Sequence, residues 1–150
     1  MKNELIEMLK QDLRNEVLHM NFYLLNSTTV TGLHREEISE FLFEQAQDEM
    51  NHVRDFANMI QYLGGTPNIN DPELVSTFHN PDDILNVASS LEKIVAENYN
   101  QRLIDTDSKE NADVTAVHLF YEDQLQDSWT ASKEIERMMS QCQQNKNTNT

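Results

Sequence analysis

Turn-forming residues are scarce in this sequence: its 150 residues include only three glycines and three prolines. A protein of many short strands needs a turn for each pair, so this scarcity argues against an all-β fold and for a few long helices. Cysteine is nearly absent. The single Cys142 lies in a polar stretch, which excludes a disulfide framework and a thiolate metal cluster and suits a reducing cytoplasm, where we expect the protein to reside. No run approaches the roughly 18–20 apolar residues of a membrane span. The start, Met1-Lys2-Asn3-Glu4, lacks the apolar core of an export signal. Positive charge is also short, with 11 Lys and Arg against 26 Asp and Glu and a net charge of −15. That balance disfavours nucleic acid and anionic membranes as partners and favours cations. Acidity alone fits solubility equally well, so the charges carry information only through their positions. The length suits one domain with its own core.

What the sequence does contain is four long segments with apolar residues at helical spacing. The first runs from about Asn3, a candidate N-cap, to Val30, with Ile6, Leu9, Leu13, Met20 and Tyr23 on one stripe. The second runs from about Glu36 to Leu63 through Ile38, Leu42, Phe56 and Met59, and Gly64-Gly65 stops it. The third opens at Pro81-Asp82-Asp83, where acidic residues suit the positive end of a helix, and ends near Thr106. The fourth follows Asn111 or Asp113 and carries Val117, Tyr121, Ala131, Ile135 and Met138. Residues 1–142 form the expected domain, and the polar run from 143 to 150 is expected to be a disordered tail. Short joints around Gly32 and Lys109 imply two antiparallel hairpins. About 16 stripe-free residues separate them, enough to span about 50 Å when extended. A second helix of roughly 28 residues is about 42 Å long. The linker can therefore cross the whole bundle, and two hairpins joined by one crossover are an all-α four-helix arrangement.

Polar residues interrupt every stripe near its middle. Glu16 stands on the first, Gln45, Glu49 and His52 on the second, Glu92 on the third and Gln124 on the fourth. In antiparallel hairpins, mid-helix residues meet at one height, so these side chains define one polar slice across an apolar core. Buried carboxylates need cations or hydrogen-bond partners, and a pair of divalent ions supplies both needs. Glu49-Met50-Asn51-His52 is a Glu-x-x-His that places oxygen and nitrogen ligands on one helical face, though single matches occur by chance. Carboxylates with an imidazole suit Fe(II) or Mn(II). An internal echo supports the pattern: Glu16 is followed by Glu49, and Glu92 by Gln124, at nearly the same separation. The competing reading is that the stripes are misassigned and these residues lie on the surface.

These residues resemble the bacterial ferritin and bacterioferritin family. Asn15-Glu16-Val17-Leu18 with Tyr23 is similar to the family's first-helix ligand and its following tyrosine. Ala46-Gln47-Asp48-Glu49-Met50-Asn51-His52 resembles its second-helix motif, Gly65-Thr66-Pro67-Asn68 the start of its crossover, Leu91-Glu92-Lys93 its third-helix ligand, and Tyr121-Glu122-Asp123-Gln124 the fourth-helix stretch of nonhaem members. The resemblance implies a ferritin-like bundle in which Glu16, Glu49 and His52 hold one iron and Glu49 bridges to a second held by Glu92 and Gln124. It implies ferroxidase activity on this di-iron centre, Fe(II) being oxidised by dioxygen for storage or detoxification. Asp48, Asp123 and Asp127 correspond to a third, weaker iron site. Tyr23 becomes a core aromatic that donates a hydrogen bond to a ligand carboxylate or to oxidised iron, or one that only packs.

Three departures qualify the resemblance. No fifth helix is expected after the fourth, because the polar run from 143 has no apolar stripe, and this puts a 24-subunit cage in doubt without excluding it; a homo-oligomer, a dimer at least, is expected through an apolar flank of Leu24, Leu25, Leu74, Val75 and Phe78. His19 stands three residues after Glu16, where the family has a small residue, and is either an extra or supporting ligand or a residue of the polar rim. Met50 occupies the position of the haem-ligating methionine, but nonhaem ferritins share it, and haem is not expected. Trp129 and Tyr99 read as packing residues, and His34, His79 and His118 as loop or surface histidines. The rival readings are a metal-binding or structural bundle without turnover, and a DNA-coating mini-ferritin that the acidic charge disfavours.

Overall fold

The computed structural model describes residues 1–70 and 73–148, with side chains through residue 140. Four helices account for nearly all of it: α1 (Lys2–Thr29), α2 (Arg35–Tyr62), α3 (Pro81–Asp105) and α4 (Ala112–Thr148). α1 pairs with α2 and α3 with α4 as two antiparallel hairpins. No strand occurs among the described residues, and none of their helices is long and apolar enough to cross a membrane.

The helix ends follow local chemistry. Gly32 and Gly64 sit at φ +109° and +90°, the left-handed region that glycine adopts without strain. At the end of α2, the Gly65 N–H donates to Ile60 O at 2.9 Å and closes an open carbonyl. Asn80 caps α3 by accepting from the Asp82 N–H at 2.8 Å, with Pro81 behind it. Asn111 does the same for α4, accepting from the Val114 N–H at 3.0 Å. At α1 the expected cap is corrected: Asn3 lies inside the first turn, and Met1 is the N-cap without a side-chain bond. The segment from 143, expected to be disordered, continues α4 as far as Thr148. It contains no Gly or Pro to stop a helix, and its Gln and Lys residues are good helix formers. Residues 149 and 150, and the side chain of Cys142, lie outside the described residues.

The described residues of the crossover, 63–70 and 73–80, touch α1 near its start, its middle and its end. Gly65 lies so close to Ile6 that an added Cβ would meet its Cγ2 at 2.8 Å. Glu73 pairs with Arg14 at 3.5 Å. Further on, the Asn26 side chain donates to Ser76 O and accepts from the Phe78 N–H, and Thr31 N–H donates to His79 O. Val75 and Phe78, expected on an open flank, turn half inward against the core, whereas Leu24, Leu25 and Leu74 remain exposed.

Most stripe positions are buried, with Met20, Gln45, Met59, Ala131 and Met138 half-buried, and the core they form is in two parts. One apolar cluster gathers Leu9, Leu13, Phe56, Ile60, Tyr99 and Tyr121 at one end. Its rings meet edge to face, as at Phe56–Phe120 with centroids 4.8 Å apart. The other gathers Phe22, Tyr23, Leu42, Ile84 and Ile135 at the opposite end. The polar positions lie between the clusters. Two side-chain readings are corrected. Trp129 is 56 % exposed, so it is not a core packing residue. His118 is buried between Thr106 and Glu122, with Nδ1 2.9 Å from the threonine hydroxyl.

Asp12, beside the first stripe, is fully buried and ties α1 to the second hairpin. It accepts from Arg102 Nε at 3.0 Å, Asn98 Nδ2 at 2.9 Å and the Tyr121 hydroxyl at 2.5 Å. Its removal leaves the Arg102 charge without its buried partner. Asp12→Ala should therefore lower unfolding free energy by about 3 kcal/mol or more, and Tyr121→Phe by about 1 kcal/mol. Urea denaturation of both variants checks this, and equal losses would contradict it.

Candidate metal centre

The slice between the two clusters contains the residues singled out from the stripes. Glu16 and Glu92 are 1 % exposed, Glu49 and Gln124 3 %. Each comes from a different helix because each interrupts its own stripe at mid-length. His52, one turn beyond Glu49, directs Nδ1 to Glu49 Oε2 at 3.3 Å and to Glu16 Oε2 at 3.6 Å. The Tyr23 hydroxyl donates to Glu92 Oε1 at 2.7 Å. Tyr99, expected only to pack, donates to Glu16 Oε1. His19 joins them: its ring, Glu16 and Glu49 offer ligand atoms that all lie within 4.8 Å of one another.

The three expected outer aspartates behave differently from the core ligands. Asp127 reaches His52 Nε2 at 3.2 Å from the surface. Asp48 is exposed and lines an open depression of about 400 Å³ whose wall includes Glu49 and His52. Asp123 is exposed too, beside Gln124 in a second depression of about 560 Å³. Asp55 and Asp127 line both depressions, so the buried centre opens onto one acidic face between α2 and α4.

Electrostatics show how the chain's own groups accommodate this cluster. Burial pushes Glu49 well above the usual carboxylate range, and the adjacent Glu16 charge adds to it. Burial also raises Glu92, to about 7, although the Tyr23 bond opposes this. For Glu16 burial is outweighed by bonding with Glu49 and His52, which holds it at about 2. Burial disfavours charge on His52, yet Glu16 and Glu49 raise it to about 11. Burial lowers His19, with Glu16 opposing. Protons thus occupy the space between carboxylates that would otherwise repel. Two acceptors, Glu16 Oε2 and Gln124 Oε1, have no permanent N–H or O–H donor. Oxygen-rich, partly protonated and short of donors, the set fits divalent cations, which replace those protons.

Comparison with known proteins gives the family and the fold. The profile of the ferritin-like domain family matches residues 6–145. A ferritin-like, diiron-carboxylate protein from Bacillus anthracis is similar in structure, with a TM-score of 0.78 and 29 % sequence identity over 92 % of this chain and 96 % of that one. A bacterioferritin-related dodecameric thioferritin from Bacteroides fragilis superposes with a TM-score of 0.85 at 18 % identity, covering 99 % and 91 % of the two chains, and shares the fold. No curated protein sequence matches the chain.

If the slice binds metal in the native state alone, metal must raise stability. Anaerobic Fe(II) at about 100 times its dissociation constant should add about 2.7 kcal/mol. Melting curves with and without the ion measure this, and no shift at saturation would contradict a buried site.

Proposed function

The chain belongs to the ferritin-like domain family, and on that premise we propose that it binds Fe(II) in the mid-bundle slice and oxidises it with dioxygen. The observation that carries the proposal is the convergence of Glu16, Glu49, His52 and Glu92 in one buried cluster with donor-poor oxygens. Iron is the substrate, arriving as Fe(II) and leaving as Fe(III). One ion is held by Glu16, Glu49 and His52, the other by Glu92 and Gln124, with Glu49 shared. Each gives one electron, and dioxygen takes two electrons and two protons to become hydrogen peroxide. The carboxylates stabilise the added positive charge in a low-dielectric site, where such stabilisation is strongest. Tyr23 steadies Glu92 through its hydrogen bond. Asp48, Asp123 and Asp127 draw cations to the open face and supply a weaker outer site.

Storage or detoxification of iron in the cytoplasm follows from this chemistry. Assembly follows from exposed apolar surface: Leu74 is 98 % exposed, with Leu24 and Leu25 also open. A homo-oligomer of at least two chains buries them. The dodecameric state named for the Bacteroides protein belongs to that protein; light scattering sets the number here, and a stable monomer would contradict the proposal.

Binding without turnover is the second reading, favoured by Gln124 where a second carboxylate would strengthen the weaker position. An oxygen electrode separates the two. Wild type should consume oxygen when Fe(II) is added, and Glu49→Ala should slow this by about ten-fold or more, since one lost carboxylate weakens both ions. Equal rates would contradict the site, and binding without oxygen uptake would establish the second reading.

A further inference from the structure

His19 is a buried imidazole, 5 % exposed, with the Glu16 charge acting on it. Its ring lies beside Glu16 and Glu49, in ligand range of both. His19 also stands to Glu16 as His52 stands to Glu49, and the two pairs share one separation along the chain. The hairpin α1–α2 therefore carries two Glu-x-x-His motifs facing each other across its own interface, while α3 and α4 contribute Glu92 and Gln124.

We propose that the α1–α2 hairpin forms a complete ion site of two carboxylates and two imidazoles, Glu16, His19, Glu49 and His52, which fills first and retains its ion. This deepens the proposed function, because it rests on the slice being a metal centre. Two imidazoles with two carboxylates suit borderline ions such as Fe(II), Co(II) and Zn(II). The second position, with oxygen donors from Glu92 and Gln124, holds its ion more weakly. The centre is thus asymmetric, with one resident ion and one that exchanges.

Co(II) is the probe, since it is stable in air and its paramagnetism shifts the N–H protons of bound imidazoles. At one Co(II) per metal-free full-length chain, proton NMR should show two shifted, exchangeable imidazole signals. His19→Gln should show one, and its first-ion affinity should fall by about ten-fold or more. Glu92→Gln should keep the first ion at wild-type affinity and weaken the second. His19→Leu supplies a control for packing: an apolar side chain in this buried place should leave the melting midpoint of the metal-free protein no lower while weakening the first ion. One signal in wild type, or unchanged affinity in His19→Gln while Glu49→Ala loses the ion, would overturn the assignment of His19 and leave the metal centre standing. Unchanged Co(II) affinity in Glu49→Ala would overturn both. A fall in metal-free stability of His19→Leu with no loss of affinity would assign His19 to packing instead.

Discussion

Buried carboxylates repel one another, and the rest of the structure is organised around that constraint. Glu16, Glu49 and Glu92 occupy positions that leucine or isoleucine would fill in an ordinary bundle. Taking them out of water is strongly unfavourable unless positive charge or protons accompany them. From the chain's own groups the accommodation is partial: His52 carries charge, Glu49 and Glu92 hold protons towards neutral pH, and Tyr23 and Tyr99 each donate one hydrogen bond. The apolar clusters on either side supply the stability that such a slice forgoes.

A second buried acid in the same protein shows what complete satisfaction looks like. Asp12 has Arg102, Asn98 and Tyr121 as fixed partners and needs no ion. It joins the hairpins at one end of the bundle and belongs to the fold. Among the described residues, the central carboxylates have no Lys or Arg as a bonding partner, and two oxygens in their slice lack donors. An acid paired with arginine is neutralised within the fold, whereas acids without such a partner suit the cation that we propose for the slice. Topology makes the difference, because antiparallel hairpins bring the midpoints of all four helices to one height and the crossover along α1 lets the second hairpin close on the first.

Much of this was legible in the sequence because it rests on periodicity. Stripe positions at Glu16, Glu49, His52, Glu92 and Gln124 are buried where the helical spacing put them, and α2 ends just before Gly64-Gly65. The misses concern residues one step off a stripe or dependent on a distant partner. Asp12 adjoins Leu13, and nothing local announces that Arg102 will reach it. Tyr99 reads as packing because its hydroxyl meets Glu16 only through the fold. His118 is buried because Thr106, at the end of α3, turns back over it. Trp129 stands next to the stripe position Ser128, and that single step turns it outward. The helical extension to Thr148 was missed because polarity was taken for disorder, although nothing in that run breaks a helix.

The central claim is that this slice holds a pair of iron ions, and anomalous diffraction at the iron absorption edge tests it most directly. Crystals soaked anaerobically in Fe(II) should show two peaks inside the bundle, one against Glu16, Glu49 and His52 and the other against Glu92 and Gln124, with Glu49 touching both. Peaks confined to the exposed aspartates, with the slice still closed by protons, would contradict it.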